Sequence, residues 1–349
     1  MSGISKPVSK QDTQEKTSGE ALYVNDINVE NMLHAKTLRS TRTKAKIKEI
    51  KLPRMPEGYH IIDHSDIPGK NYVKIIFEDM PVFAENNVNY YGEPILLVVG
   101  KDRKKVLDLH DAIEVVYERL EPRYDYSKSV LHYEYEKGDT EMAFANALRT
   151  VRGEYNTGYQ EHIYLEPQGI LSLYAEGKVT IVGSMQCPYY IKNAVMQVLN
   201  DNGSGVRVQQ AVTGGAFGGK EEFPSLMACQ VAVAAAKLKQ PVSLVYDRTE
   251  DIIATTKRHP SKIKFLAAIG PDFKVDAIRA HVSLDSGAYI GLSGVVLKRA
   301  MIAASGVYRI DNLDISGDVY ETNSVPNGAF RGFGAPQMFF AIEMFMEHI

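Results

Sequence analysis

Apolar and polar positions alternate with period two along Thr41–Lys51 (TRTKAKIKEIK), and that alternation predicts a strand with one face in solvent. Tyr72–Phe77 also reads as a strand, and Pro94–Val99 (PILLVV), apolar throughout and ended by Gly100, as a buried one. Arg103–Ala112 has helical spacing before Ile113–Tyr117 returns to strand. These elements outline a compact α+β unit over residues 18–126. Residues 1–17, rich in Ser, Lys and Gln and without periodicity, read as a disordered leader. Glu121–Lys137, polar and tyrosine-rich, reads as a linker.

A second region, 135–349, begins with a capped helix at Asp139–Leu148 and a strand at Lys178–Gly183. Tyr189–Asn200 carries apolar residues at helical spacing, with Asn202-Gly203 as its predicted closure. The strand Val206–Val212 runs into a glycine-rich stretch, and Pro224–Lys239, opened by Pro and dense in Ala, reads as a buried helix. Pro241–Tyr246 is a strand, Lys262–Ile269 and Val275–Leu284 form a hairpin around Gly270-Pro271-Asp272, and Leu313–Glu321 is a further strand. The last helix, Met338–Ile349, meets no Gly, Asn or Pro at its end, so the polypeptide is expected to be part of something longer, truncated or split at its C-terminal side.

Length and charge narrow the function classes. The chain has 349 residues and a formal charge of −3, with 44% hydrophobic and 24% charged residues, as in globular proteins of two or three domains. Such a balance offers no field for nucleic acid or anionic lipid. No run approaches the ~20 apolar residues of a membrane span, and the N-terminus lacks a signal-peptide core, so a cytoplasmic protein with neither nucleic-acid nor membrane partners is expected. Cys187 and Cys229 are too few for a zinc or iron–sulfur centre and are expected to be reduced, buried thiols.

The chemistry concentrates in two loops. In Gly214–Glu222 (GGAFGGKEE) a strand feeds four glycines and then a helix, an arrangement that lets backbone N–H groups converge on an anion. Gly214, Gly219 and Lys220 match part of a P-loop, but Glu221 stands where the Mg²⁺-binding hydroxyl belongs and would repel phosphates, which argues against NTP hydrolysis. Asn327–Gln337 (NGAFRGFGAPQ) repeats the design, with Arg331 set between glycines and aromatics able to flank a flat heterocycle. A shared ligand between the loops follows from that repetition.

Together with DRTEDIIATTKRHP at Asp247–Pro260 and GEALYVNDI at Gly19–Ile27, these loops resemble the molybdenum hydroxylases, the xanthine dehydrogenase and aldehyde oxidase family. The resemblance implies an α+β chain: a hammerhead-like α/β domain over 18–126, then a mixed α/β first molybdopterin-binding domain over 135–349. It implies a molybdenum–molybdopterin cofactor with no direct protein ligand to the metal, and hydroxylation with water as oxygen source. Gln186 matches the glutamine whose amide bonds an oxo ligand of the metal. Gly215, Ala216, Phe217 and Gly218 match the loop whose main chain approaches the cofactor, Phe217 through its backbone; many members have Gly where this chain has Ala216. Glu221 matches the acidic residue that contacts the ring in purine-oxidising members, and Arg331 the arginine facing it, so both are catalytic candidates and Arg331 also borders the cofactor.

The Glu221–Arg331 combination resembles the xanthine dehydrogenase branch, which implies a purine or related N-heterocycle as substrate. An aldehyde oxidase-like subunit and a non-catalytic remnant or scaffold are the alternatives. The family's general-base glutamate lies in a motif beyond residue 349, so a partner carrying a C-terminal molybdopterin-binding half is implied. Partner subunits with [2Fe–2S] and FAD are implied as well, because this chain has neither the cysteines nor a dinucleotide fold. His162 and His259, isolated in sequence, are expected to be structural, and Asp247, Glu250, Asp251 and Arg258 to form a local ion-pair network around a turn.

Overall fold

The computed structural model describes residues 6–349. Seven strands make its largest sheet, in the order Val206–Gln210, Lys178–Gly183, Gly169–Ala175, Val242–Val245, Leu33–Arg39, Pro94–Gly100, Tyr59–Ile62. The sheet joins both halves of the chain, because Leu33 pairs in parallel with Val242. The helices Pro188–Val198 and Phe223–Leu238 pack on it through one apolar core that includes Ile170, Ile181, Val195, Leu226 and Val231. Every residue from Phe223 to Ala235 is buried, as expected of a helix apolar on all sides.

A second sheet of five strands runs Arg149–Thr157, Ser261–Ile269, Val275–Gly287, Asn312–Glu321, Ser129–Lys137. The helices Ser293–Ile302 and Ala335–His348 close a separate core against it, around Ile278, Val282, Leu297, Ile315 and Phe345. A small three-stranded sheet, with Ala45–Lys51 at its centre, shares a third core with the helix Arg103–Asp111. The solvent-faced strand expected from alternation is there: Lys48 and Lys51 pair across it with Glu118 and Glu114.

Several expectations need correction. The stretch read as a linker contains the edge strand Ser129–Lys137, antiparallel to Asn312–Glu321; it covers one side only, so its solvated face is polar and hides the strand. Within the leader, Thr13–Ser18 is a short helix closed by Gly19 at φ +80°; all of it is exposed, so it leaves no apolar period, and residues 1–5 lie outside the described residues. The strand at Tyr72–Phe77 shrinks to Tyr72–Val73, paired with Met80–Pro81. The helix Pro188–Val198 ends before Asn200, which takes the left-handed conformation at φ 53° instead of Gly203 closing it. Cys229 is buried, but Cys187 is only half-buried, at the N-cap of that helix. Nor is the Asp247–Arg258 cluster a local network. Glu250 pairs with Lys36 and Arg39 at 2.6 and 3.0 Å, tying the helix Arg248–Ala254 to a strand some 210 residues away, while Asp251 accepts from the Gln168 N–H at 2.7 Å.

Candidate functional site

The two glycine loops leave different cores and meet. The first continues from Val206–Gln210 into the helix Phe223–Leu238; the second precedes the helix Ala335–His348. Arg331 donates its N–H to the Phe217 carbonyl at 2.9 Å. A Cβ on Gly218 would stand 2.6 Å from the Ala329 carbonyl oxygen, so this close approach, with Gly218 at φ +104°, requires glycine.

Buried polar groups strap the first loop from beneath. Glu166 Oε2 accepts from the Gly214 N–H, the Ser184 hydroxyl and the Lys220 ammonium at 2.7, 2.7 and 2.9 Å. Lys220 is thus turned into the core, 4.7 Å from the Tyr164 ring centroid, and burial holds its pKa below the usual lysine range although Glu166 opposes this. Gln168 donates to the Gly219 carbonyl at 2.7 Å. Gln186, itself exposed, accepts on Oε1 from the N–H groups of Gly218 and Lys220 at 2.9 and 3.3 Å.

Those bonds leave donors over. The N–H groups of Gly215, Ala216 and Phe217 and the Gln186 Nε2 find no acceptor among the described residues. Gly215 and Phe217 both have positive φ, +101° and 54°, and the Phe217 side chain is about half exposed. Adjacent unpaired main-chain donors beside a free side-chain amide form a cradle for oxygen-rich or anionic groups. This donor set fits a molybdopterin cofactor.

The second loop is held by residues distant in sequence. His162 Nε2 lies 2.7 Å from the Ala329 carbonyl, and its ring stacks on Phe330 at 4.4 Å. The Arg258 guanidinium sits 4.0 Å from the Phe330 centroid and donates to the Arg331 carbonyl at 3.1 Å; Arg299 lies 4.8 Å from the Phe333 centroid. Glu222 accepts from the Ala329 N–H at 2.9 Å. His162 therefore has a structural role at the site itself, and Arg258 serves the second loop and not the acidic turn.

The structure brings Gln186, Gly215, Ala216, Phe217, Gly218 and the Arg331 backbone together. It does not join the side chains of Glu221 and Arg331 in an ion pair. Arg331 is exposed, with no guanidinium partner among the described residues. Glu221 is half-buried, and burial raises its pKa against the pull of Arg299. Glu166, Gln168, Glu222 and Arg299 escaped sequence reasoning. Only Glu222 left a signal, a second carboxylate just ahead of the apolar run FPSLMAC.

The comparisons agree with this architecture. Residues 123–349 match the molybdopterin cofactor-binding domain, and residues 18–121 the aldehyde oxidase and xanthine dehydrogenase a/b hammerhead domain. The chain belongs to the xanthine dehydrogenase and aldehyde oxidase family of molybdopterin-dependent oxidoreductases. It is 32% identical to the nicotinate dehydrogenase large molybdopterin subunit of Eubacterium barkeri over 96% of this chain and 82% of that one. It is 30% identical to the xanthine dehydrogenase of Dictyostelium discoideum over 99% of this chain, but spans only 26% of that protein. Among solved structures, the aldehyde oxidoreductase of Desulfovibrio gigas superimposes with a TM-score of 0.89 at 25% identity, covering 97% of this chain and 41% of the other. No helix among the described residues is long and apolar enough to cross a membrane.

Proposed function

We propose that this chain is the cofactor-holding part of a xanthine dehydrogenase-like hydroxylase acting on a purine or related N-heterocycle. The observation that carries the reading is the pair of loops joined from Arg331 N–H to Phe217 carbonyl, with three unpaired main-chain donors and the Gln186 amide beside them. The large molybdopterin subunit of nicotinate dehydrogenase supports it, since nicotinate, like a purine, is a nitrogen heteroaromatic.

Molybdenum–molybdopterin bound there would supply the hydroxylation chemistry, with water as oxygen source and [2Fe–2S] and FAD on partner subunits as electron acceptors. Gln186, Gly215, Ala216, Phe217 and Gly218 would hold it, the Gln186 amide and the N–H groups of Gly215, Ala216 and Phe217 donating to its oxygens while Gly218 positions Gln186 through its own N–H. The Arg331 guanidinium, free of partners among the described residues, offers planar donors to a ring atom where negative charge develops. Glu221, its pKa raised by burial, can hold a proton and return it to a ring nitrogen.

Molybdenum content should be measured in the chain purified with and without the product of its neighbouring gene. Metal retained in the joint preparation, with turnover of hypoxanthine or nicotinate that Arg331→Met lowers by about 10²-fold, is the expected result. Turnover of aromatic aldehydes alone, unaffected by Glu221→Ala, would mean an aldehyde oxidase. Absence of metal from both preparations would mean a remnant.

A further inference from the structure

A buried carboxyl sits where the two loops touch. Glu222 is only 3% exposed, and no cation pairs with it among the described residues. Its Oε1 holds the Ala329 N–H at 2.9 Å. A Cβ on Gly328 would fall 1.7 Å from that oxygen and 2.9 Å from Thr256 Cβ, so Glu222, Thr256 and Gly328 occupy one spot and only glycine fits there. Three oxygens nearby are buried without a partner: Glu222 Oε2, Thr256 Oγ1 and Asn327 Oδ1. The Asn327 amide is oriented by its Nδ2, which donates to the Asp285 carbonyl at 2.8 Å, leaving Oδ1 as its unengaged end. All three residues line one small cavity of about 20 Å³. A single water needs roughly 10–15 Å³ and two to four polar partners.

We propose that Glu222 is the positioning residue that sets the spacing of the two glycine loops, one carboxyl oxygen holding the Ala329 amide and the other an ordered water shared with Thr256 and Asn327. Burial pushes its pKa up to about 8, so at neutral pH it is a neutral acid whose Oε2–H donates to that water. The water's own protons then satisfy the Thr256 and Asn327 oxygens. Through Ala329 this strut fixes the loop that carries Arg331. It rests on the proposed function only in treating the cradle it spaces as the cofactor's.

The test is hydrogen exchange by mass spectrometry on the full chain, read in the segment 327–334. Glu222→Gln keeps an acceptor for Ala329 and a donor for the water, and should exchange within about 1.5-fold of the wild type. Glu222→Asp is one methylene too short to reach Ala329, and should speed exchange of this segment by about tenfold or more while leaving the helix Phe223–Leu238 unchanged. Thr256→Val, which removes only a partner of the water and keeps the shape, should give about threefold, and it serves if the Asp variant does not fold. The proposal falls if Glu222→Asp exchanges like the wild type, if Glu222→Gln exchanges like Glu222→Asp, if Thr256→Val has no effect, or if the whole helix loosens equally. Molybdenum content of the same variants, prepared with the partner, separates the two ideas. A wild type without metal defeats the cofactor reading, while the exchange pattern still decides the role of Glu222.

Discussion

The two glycine loops look alike in sequence and are built differently. The first is held by partners on its own side of the molecule, with Glu166, Ser184 and Lys220 in one buried cluster under the first sheet. The second has no such ion-paired cluster among the described residues. Besides main-chain bonds such as Gly328 N–H to the Lys257 carbonyl, its side-chain supports are a carboxyl oxygen, a histidine and two stacked guanidiniums, from residues 107, 167, 73 and 34 positions away. One loop is therefore rigid with its own core, and the other takes its position from its neighbours. A cradle made of both is only as well placed as the second.

The largest effect should come from breaking the first loop's cluster. Glu166→Ala leaves the buried Lys220 ammonium unpaired and should cost about 3–5 kcal/mol in urea denaturation. A loss under about 1 kcal/mol would mean that the cluster does not set the first loop apart. Next, Gly218→Ala tests the contact between the loops. Its positive φ and the Ala329 oxygen 2.6 Å from the new Cβ should cost roughly 1–3 kcal/mol in thermal unfolding and lower molybdenum content. Wild-type stability and metal content in that variant would argue that the loops stand further apart.

Acid should distinguish the two gradually, one pH unit at a time. His259 supports the second loop's surroundings, bonded to Ser293 and with its carbonyl taking the Gln337 amide; burial, helped by Arg258, depresses its pKa to about 3. The unfolded chain binds this proton below pH ~6.5 and the folded one does not, so the stability is intact above that value and is lost as pH falls toward 3. The slope should be about 1.4 kcal/mol per pH unit in that window. His259→Gln should flatten it, and the segment 327–334 should lose exchange protection before the first loop does.

Much of the fold was legible. The buried strand at Pro94–Gly100, the helix at Arg103–Asp111 with Asp102 as its cap, and the helix Phe223–Leu238 carry local signals strong enough to read directly. Elements with a mixed pattern of buried and partly exposed positions were missed. Leu33–Arg39, Arg149–Thr157 and Ser293–Ile302 went unrecognised, and Ser129–Lys137 passed for a linker, because a half-solvated strand or a mixed helix face leaves little period to detect.

The candidate site divides the same way. Glycines at 215, 218, 328 and 334, with Phe217, Glu221 and Arg331 among them, mark both loops in the sequence because unusual backbone angles and close approach need particular residue types. Which groups brace them is not written locally. Glu166, His162 and Glu222 are ordinary polar residues until folding places each beside a main-chain amide or carbonyl it can satisfy, and a buried hydrogen bond depends on position far more than on residue type. The amino-acid order determined that two glycine-rich loops would exist; the packing of two separate sheets decided that they meet, Arg331 N–H on the Phe217 carbonyl.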